Sequence, residues 1–250
     1  RHGVGAVMHF AAFAYVGESV AEPAKYYRNN VVGTLTLLEA MREGGVGDLV
    51  FSSSCAVYGA PERTPIREDG PKAPINPYGQ TKLACERMIA DHVAAHGLNA
   101  VALRYFNAAG ADPDGELGED HDPETHLIPL VLQAAAGLRP HVIIHGDDYD
   151  TPDGTCIRDY VHVSDIADAH VLALQALGAR PLRPAYNLGG VAAKSVAEVI
   201  GAASLVTGLT IPVSTGPRRP GDPAMLAADA TAARADLGWA AGVLRMEDLI

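Results

Sequence analysis

The sequence predicts an α/β protein with a doubly wound parallel sheet and a smaller C-terminal lobe. Short apolar runs typical of buried strands alternate with longer segments of helical periodicity in the first part of the chain. This alternation indicates a parallel sheet covered by helices. From Asn107 onwards the connecting segments become longer and more polar. We therefore expect residues 1–106 to form one sheet domain, and residues 107–250 to form mainly a second lobe interleaved with the sheet.

Each predicted element has a local sequence signal. The first strand is the apolar run 4–10, and a helical pattern over about 22–42 ends at Gly44 and Gly45. Asn76 and Pro77 suit the cap and the first position of the next helix. Further strands are predicted at 48–53, 99–104, 141–145 and 185–188. Further helices are predicted at about 127–137, from Ser164 with that serine as the cap, and from a capping box at Ser195 and Glu198. Long loops are predicted at 61–77, 111–125 and 147–159.

The composition is that of an ordinary globular protein, with 48% hydrophobic and 20% charged residues in a chain of 250. A net charge of −11 argues against binding to nucleic acid or to an anionic membrane surface. The three cysteines show no C-x-x-C spacing, and no apolar run approaches the ~18 residues of a membrane span. Because the sequence also has no signal-peptide pattern, we expect a cytoplasmic protein without disulfides.

Tyr78 and Lys82 lie four residues apart in the helix predicted after Asn76, so both side chains lie on the same face. A phenol has an ordinary pKa near 10, and an ammonium held close to it favours the phenolate and lowers that pKa. Tyr78 is therefore a candidate proton acceptor near neutral pH. The pattern is short, and on its own it fits an ordinary amphipathic helix equally well.

Ser54 strengthens the hypothesis of a catalytic site. It belongs to a serine cluster that ends the apolar run beginning at Val50, upstream of Tyr78. In an α/β sheet the carboxyl ends of strands and the starts of helices meet at the edge where ligands bind. The hydroxyl of Ser54 is thus expected to hydrogen-bond the same substrate oxygen as the phenol of Tyr78.

Together, Ser54, Tyr78 and Lys82 resemble the Ser-Tyr-Lys triad of the extended short-chain dehydrogenase/reductase family. The resemblance is greatest to its UDP-glucose 4-epimerase branch and runs nearly end to end, through the segments 9–12, 16–19, 26–30, 104–107, 153–160 and 186–189. It implies a Rossmann-like fold, NAD as the cofactor, and a homodimer. The implied reaction is the reversible 4-epimerisation of UDP-glucose and UDP-galactose through a 4-keto intermediate.

The resemblance also implies the residues of a cofactor site. NAD would contact the triad and a set of further residues, namely Phe10, Ala11, Ala12, Asn29 and Phe106. Phe106 would lie against the nicotinamide, and Lys82 would also bond the nicotinamide ribose. Ala14 stands where many relatives have a lysine, so one cofactor contact differs from the family pattern.

For the UDP-sugar, the resemblance implies a diphosphate clamp of Arg158 and Arg219, since guanidinium groups bind phosphate bidentately. It assigns the ribose hydroxyls to Asp222 and the phosphates to Asn107. Ser54 and Tyr78 would contact the sugar. Two weaker contacts are His126 and Leu127, where many relatives have Asn-Leu, and the aliphatic Leu226 leaves the admission of N-acetylated sugars open.

Other functions remain as alternatives. An epimerase of UDP-N-acetylglucosamine or of a UDP-pentose fits the same motifs. A nucleotide-sugar 4,6-dehydratase of the same superfamily would carry an Asp-Glu pair where this chain has Ser54 and Cys55, so that function is disfavoured. A non-catalytic nucleotide-sensing module would not require a triad. His92 and His96 lie four residues apart but have no third ligand nearby, so no metal site is expected.

The glycine-rich fingerprint of dinucleotide-binding proteins is missing from this sequence. Gly3 and Gly5 do not supply it, because no strand precedes them and no helix follows them directly. The resemblance places the fingerprint upstream of Arg1. We therefore expect an N-terminally truncated chain that lacks about two βαβ units of ~30 residues each.

Overall fold

The computed structural model describes residues 3–219 and 222–250 of the chain. Within these ranges the strands are β1 (Ala6–His9), β2 (Asp48–Ser52), β3 (Asn99–Tyr105), β4 (Asn107–Ala109), β5 (Val142–His145), β6 (Ile157–His162), β7 (Ala185–Leu188), β8 (Val191–Ser195), β9 (Val213–Gly216) and β10 (Met225–Leu226). The helices are α1 (Val16–Ala21), α2 (Pro23–Tyr26), α3 (Gly33–Gly44), α4 (Pro77–His96), α5 (Leu127–Ala135), α6 (Val163–Ala176), α7 (Val196–Thr207), α8 (Thr231–Leu237) and α9 (Met246–Leu249). Predictions that involve Arg1 and His2, or Pro220 and Gly221 beside the predicted clamp, lie outside the described residues.

A four-stranded parallel sheet in the order β1-β2-β3-β7 forms the centre of the fold. On one face, Leu38 of α3 and Cys85 of α4 pack with Phe51 of β2 in a buried cluster. On the other face, Ile166 of α6 and Leu237 of α8 belong to a second buried cluster beneath the same strands. Helices thus cover both faces, and the predicted doubly wound α/β fold is confirmed.

A second group of strands lies beyond β3 in the chain. β6 pairs in parallel with β4 and β10 and antiparallel with β8, while β5 pairs with β9. Helices α5, α7 and α9 enclose the buried cores of this part. β7 nevertheless belongs to the central sheet, where it pairs with β3. The division of the chain at residue 106 stays a prediction.

The predicted helical stretch over 22–42 is confirmed, although it is not one regular α-helix. It consists of α2, a π-helical turn (Tyr27–Val32) and α3. The π-helical turn contains the buried Asn30, whose amide bonds the backbone of Phe13, so a tertiary contact overrides the regular helical period here. The predicted stop is confirmed, because Gly45 ends α3 in the left-handed region at φ +68°. Helix α1, just before it, was not predicted.

Three further corrections concern strands and a cap. The predicted loop 147–159 is wrong at its end, because β6 begins at Ile157, where strands on both sides satisfy its backbone. Ser164 does not cap α6; His162 does, and its Nδ1 accepts a hydrogen bond from the Ser164 N–H at 3.1 Å. β1 is half-buried instead of buried, since it lies at the edge of the central sheet among the described residues.

The remaining predicted elements are confirmed to within a few residues, including the capping box of Ser195 and Glu198 at the start of α7. Four short strands were not predicted, namely β4, β8, β9 and β10. They have two to five residues each.

Candidate active site

The start of α4 places Tyr78 and Lys82 against the carboxyl end of β2. The Asn76 side chain caps the helix by accepting the Gly79 N–H at 2.9 Å, as predicted. Gly79 then lets the helix approach the turn after Ser54, because a Cβ at Gly79 would lie 2.4 Å from the Ala56 carbonyl oxygen. This close contact fixes the position of both candidate catalytic side chains relative to β2.

Lys82 lies almost fully inside the protein, with 4% of its surface exposed. Its Nζ donates a hydrogen bond of 2.7 Å to the Ser52 carbonyl oxygen at the end of β2. The ammonium also lies 5.0 Å from the ring centre of Phe51 and 6.0 Å from that of Tyr78. Burial lowers the pKa of Lys82 to about 8, so the group is still mostly charged at neutral pH.

Ser54 is buried and caps a short 3₁₀ turn (Cys55–Val57), where its Oγ accepts the Ala56 N–H at 3.2 Å. Burial raises the pKa of Tyr78, and hydrogen bonding with the Ser54 side chain opposes that rise. The triad residues are therefore brought together. The prediction that Lys82 lowers the Tyr78 pKa is wrong for these side chains as they stand, because desolvation of the phenol outweighs the opposing effects and Lys82 is hydrogen-bonded to Ser52.

The residues predicted to line NAD follow β1. Phe10 lies at the carboxyl end of that strand with 53% of its surface exposed, and its ring centre is 4.5 Å from that of His170. Ala11 is exposed and Ala12 half-buried in the loop that follows. Asn29 is exposed and donates to the Asn30 Oδ1 at 3.0 Å. These four residues thus lie along the same edge of the sheet as the carboxyl end of β2, the neighbouring strand.

Phe106 and Asn107 lie at the carboxyl end of β3 and the start of β4. Phe106 is buried in a cluster that also contains Leu83 of α4, and Leu226 packs against this cluster. The Asn107 Nδ2 donates a hydrogen bond of 2.7 Å to the Asp159 carbonyl oxygen. The structure therefore brings Leu226, the position predicted to bear on the admission of N-acetylated sugars, against the cluster that contains Phe106.

Arg158 of β6 forms an ion pair with Asp222, in which its Nη2 lies 2.5 Å from the Asp222 Oδ1. Burial raises the pKa of Cys55 to about 12, and the charge of Arg158 opposes this rise. Arg219 is exposed, and its carbonyl oxygen accepts the Asp222 N–H at 3.1 Å. The three predicted UDP-binding residues are thus neighbours.

His126 and Leu127 lie at the start of α5. Leu127 is half-buried and packs against the core of the second lobe. The His126 side chain is 45% exposed and pairs with Glu119 and Glu124. Hydrogen bonds thus join His126 to the loop that precedes α5, and its predicted contact with the substrate stays a prediction.

Two residues that support the site were not singled out from the sequence. The Asn30 side chain bonds the N–H and the carbonyl oxygen of Phe13 at 2.9 and 3.0 Å, and Thr81 of α4 at 3.1 Å. Glu86 of α4 accepts a hydrogen bond from Ser53 at 2.6 Å. The sequence offers one signal for each residue. Asn30 belongs to the family segment 26–30, and Glu86 lies four residues after Lys82.

The residues present fit NAD. An exposed aromatic ring, Phe10, and the small side chains after it leave room for a flat cofactor beside the strand ends. The buried ammonium of Lys82 lies at the neighbouring strand end. His170, whose ring lies 4.5 Å from that of Phe10, has a buried Nε2 without a hydrogen-bond partner among residues 3–219 and 222–250, so this edge holds an unsatisfied polar atom.

None of the helices among residues 3–219 and 222–250 combines the length and the hydrophobicity needed to cross a membrane.

Known proteins match both the sequence and the structure. Residues 1–189 match the NAD dependent epimerase/dehydratase family. A protein of Halalkalibacterium halodurans named UDP-glucose 4-epimerase is 54% identical over 238 residues, which cover 95% of this chain and 71% of that protein. A protein of the same name from Azospirillum brasilense is 52% identical, over 100% of this chain and 72% of its own length.

Two solved structures superpose closely on the fold. The UDP-glucose 4-epimerase of Brucella ovis in complex with NAD matches with a TM-score of 0.95 and 54% identity, over 98% of this chain and 76% of that one. The UDP-glucose 4-epimerase of Bifidobacterium longum, in complex with NAD⁺ and UDP, matches with a TM-score of 0.92 and 44% identity, over 99% and 74%. The chain belongs to the NAD dependent epimerase/dehydratase family. The resemblance stated from the sequence is confirmed, and the similar proteins named here are all UDP-glucose 4-epimerases.

Proposed function

We propose that the protein is an NAD-dependent isomerase that interconverts UDP-glucose and UDP-galactose. The observation that carries this proposal is the assembly of Ser54, Tyr78 and Lys82 at the carboxyl end of β2. Relatives of 52–54% identity named UDP-glucose 4-epimerase support the choice of this reaction within the family. The 4,6-dehydratase is not favoured, since Ser54 and Cys55 stand where that enzyme has its acidic pair.

In the proposed mechanism, the phenolate of Tyr78 accepts the proton of the sugar 4-hydroxyl while Ser54 hydrogen-bonds the same oxygen. Hydrogen bonding with the Ser54 side chain favours the phenolate against the effect of burial, and Lys82 keeps a positive charge 6.0 Å from the Tyr78 ring. NAD, when bound, supplies a hydride acceptor for C4 and returns the hydride. The 4-keto sugar turns over before Tyr78 gives the proton back, and this inverts C4.

The anchors of the substrate lie away from the sugar. Arg158, Arg219 and Asn107 bind the diphosphate, and Asp222 binds ribose hydroxyls. Arg158 is already oriented by its ion pair with Asp222, which reduces the entropy lost when the diphosphate binds. Because these four side chains contact only the UDP, the sugar ring is free to rotate. His126 and Leu127 are proposed as additional contacts.

The NAD site proposed here consists of one set of residues along the strand ends, namely Phe10, Ala11, Ala12, Asn29, Ser54, Tyr78, Lys82 and Phe106. Phe10 and the two alanines line the cofactor, and Lys82 bonds the nicotinamide ribose. The exposed Phe10 ring and the buried ammonium of Lys82 support this assignment.

A homodimer and a cytoplasmic location are also proposed. Helices α3 and α4 contact each other and carry the exposed apolar side chains Leu35 and Val93, and the dimer interface is proposed on these two helices. Light scattering of the purified protein tests the dimer, and a mass of one chain contradicts it. The free thiols of Cys55, Cys85 and Cys156 are consistent with a reducing compartment.

The test of the proposed function is turnover of UDP-galactose by the full chain supplied with NAD. We expect UDP-glucose as the product, with equilibrium reached from either sugar. UDP-N-acetylgalactosamine and UDP-arabinose serve as parallel substrates and test the other epimerases. A 4-keto-6-deoxy product would indicate the dehydratase, and binding of UDP without any turnover would indicate the nucleotide-sensing module; either result contradicts the proposal.

A further inference from the structure

Four potential metal ligands converge in the loop between β4 and α5, at some distance along the chain from the triad. They are Glu119, His121, Glu124 and His126, and one ligand atom from each lies within 4.8 Å of all the others. Residues 110–126 contain no helix or strand. A loop of this length without regular structure requires some other interaction to hold one conformation.

The geometry of these four side chains, called here the His-Glu cluster, resembles that of a coordination site. The His121 Nδ1 lies 2.8 Å from the Glu119 Oε1, and the His126 Nδ1 lies 2.5 Å from the same oxygen. The Glu124 Oε1 is 3.1 Å from the His126 Nδ1. Ligands bound tetrahedrally at ~2.0–2.2 Å are about 3.3 Å apart, so these side chains, now at hydrogen-bond distances, would move apart to admit an ion between them.

Glu124 is held in place before any ion binds. Its side chain is 6% exposed, and its Oε1 accepts the backbone N–H groups of Thr125 and His126 at 2.6 and 2.7 Å. Its Oε2 lies 3.9 Å from the His121 Nδ1 and faces the rest of the cluster. A preorganised ligand of this kind raises affinity because less conformational entropy is lost on binding.

The donor set selects the class of metal. Two imidazole nitrogens and two carboxylate oxygens suit Zn²⁺, which is bound tetrahedrally by such ligands. Mg²⁺ and Ca²⁺ prefer shells of oxygen ligands. Four protein ligands would close the coordination shell, which is typical of a structural zinc site and not of a catalytic one.

We propose that Glu119, His121, Glu124 and His126 bind one Zn²⁺ ion that fixes the loop 110–126 at the start of α5, and that the His126 imidazole therefore serves the ion while Leu127 keeps the proposed contact with the substrate. This departs from the expectation of no metal site, which considered His92 and His96 on α4. The cluster also contacts the other part of the molecule, since the Tyr15 ring centre lies 5.7 Å from that of His121 and 6.5 Å from that of His126. Tyr15 follows the segment proposed to line NAD, so the ion would hold the loop against that segment.

The test is titration of the full chain, first treated with a chelator, with Zn²⁺ alone in a calorimeter. We expect one ion per chain. The double variant E119Q/H121Q should bind Zn²⁺ more than about 100-fold more weakly. Even substitutions of residues that only hydrogen-bond the ligands typically reduce metal affinity by about 10–100-fold. The matched control is H92Q/H96Q, which removes two histidines with adjacent rings elsewhere on the surface and should bind like the wild type.

A second readout follows the loop itself. Zn²⁺ should slow amide hydrogen exchange in residues 110–126 of the wild type and of H92Q/H96Q, and leave exchange in E119Q/H121Q unchanged. Mg²⁺ at the same concentration should have no effect. Absence of Zn²⁺ binding to the wild type, equal binding to E119Q/H121Q, or unchanged exchange in the loop on saturation with Zn²⁺ would each overturn the proposal.

Discussion

Glu86 and Arg104 form a bidentate ion pair that joins the helix of Tyr78 to the central sheet. The Arg104 Nη2 lies 2.6 Å from the Glu86 Oε2, and its Nε lies 2.8 Å from the Glu86 Oε1. The pair is buried, with 4% of the Arg104 side chain and 10% of the Glu86 side chain exposed. Arg104 also donates to the Tyr58 hydroxyl at 2.8 Å, and Ser53 donates to Glu86. One ion pair thus connects α4, β3 and the serine cluster after β2.

Substitution Glu86→Ala should lower the free energy of unfolding by about 3–5 kcal/mol, because it leaves the buried Arg104 guanidinium without its counter-charge. Urea denaturation measures the loss. The matched control is Asp69→Ala, which removes the partner of Arg67 in a pair whose side chains are 68% and 76% exposed and should cost less than about 1 kcal/mol. A loss in Glu86→Ala no larger than that of the control would show that the pair does not hold α4 in place.

Substitution Gly79→Ala should destabilise the protein, although alanine favours a helix over glycine by about 1 kcal/mol. The added Cβ would lie 2.4 Å from the Ala56 carbonyl oxygen and 2.9 Å from the Pro74 Cβ, so α4 would have to move away from Ser54. Turnover should fall along with the melting temperature. Gly201→Ala in α7 is the control, since nothing lies within 4 Å of its Cβ position, and it should be neutral or stabilising. A stabilised, fully active Gly79→Ala protein would contradict the close approach.

The buried Lys82 should produce a rise in stability with pH. Its folded-state pKa is lowered by burial to about 8, below the ~10.4 of an exposed lysine. Between these two values the unfolded chain binds more protons than the folded one, so the free energy of unfolding increases with pH. The gain, on the order of 3 kcal/mol from the size of the shift, is largely present at pH 10 and complete only above the ~10.4 of the unfolded lysine. Equilibrium unfolding at pH 8 and pH 10 measures it.

Lys82→Met provides the comparison for that pH dependence. Methionine keeps much of the apolar stem but has no group that titrates, so the contribution of Lys82 should disappear from the difference between the two pH values. An identical pH dependence in the wild type and in Lys82→Met would show that the lysine titrates at an ordinary pKa and that its ammonium is not desolvated as described.

The parts of the structure that follow from local chemistry could be predicted from the sequence. The cap at Asn76, the stop at Gly45 and the capping box at Ser195 each depend on residues only a few positions apart in the sequence. The elements that position the triad could therefore be predicted. The contacts of Asn30 with Thr81 could not be, because they join residues 51 positions apart.

Two properties of the sites also depend on the folded environment. The pKa of Tyr78 reflects burial, which outweighs the effect of neighbouring groups, and the distance of four residues to Lys82 carries no information about desolvation. The His-Glu cluster forms in a loop without periodicity, where the spacing along the chain does not determine which side chains meet. The fold, the triad and the existence of the loop were therefore accessible from the sequence, and the electrostatics and the side-chain contacts within the loop were not.

The most direct test of the proposed function is the turnover of Tyr78→Phe with UDP-galactose, measured together with UDP binding. Loss of the phenol oxygen should reduce turnover by about 10²–10⁴-fold, the usual contribution of a general acid–base group, while UDP binds as it does to the wild type. Tyr27→Phe, at a residue 43% exposed on the surface, should keep full activity. If Tyr78→Phe instead turns over UDP-galactose at a rate near that of the wild type, Tyr78 is not the proton acceptor and the account of the active site is wrong.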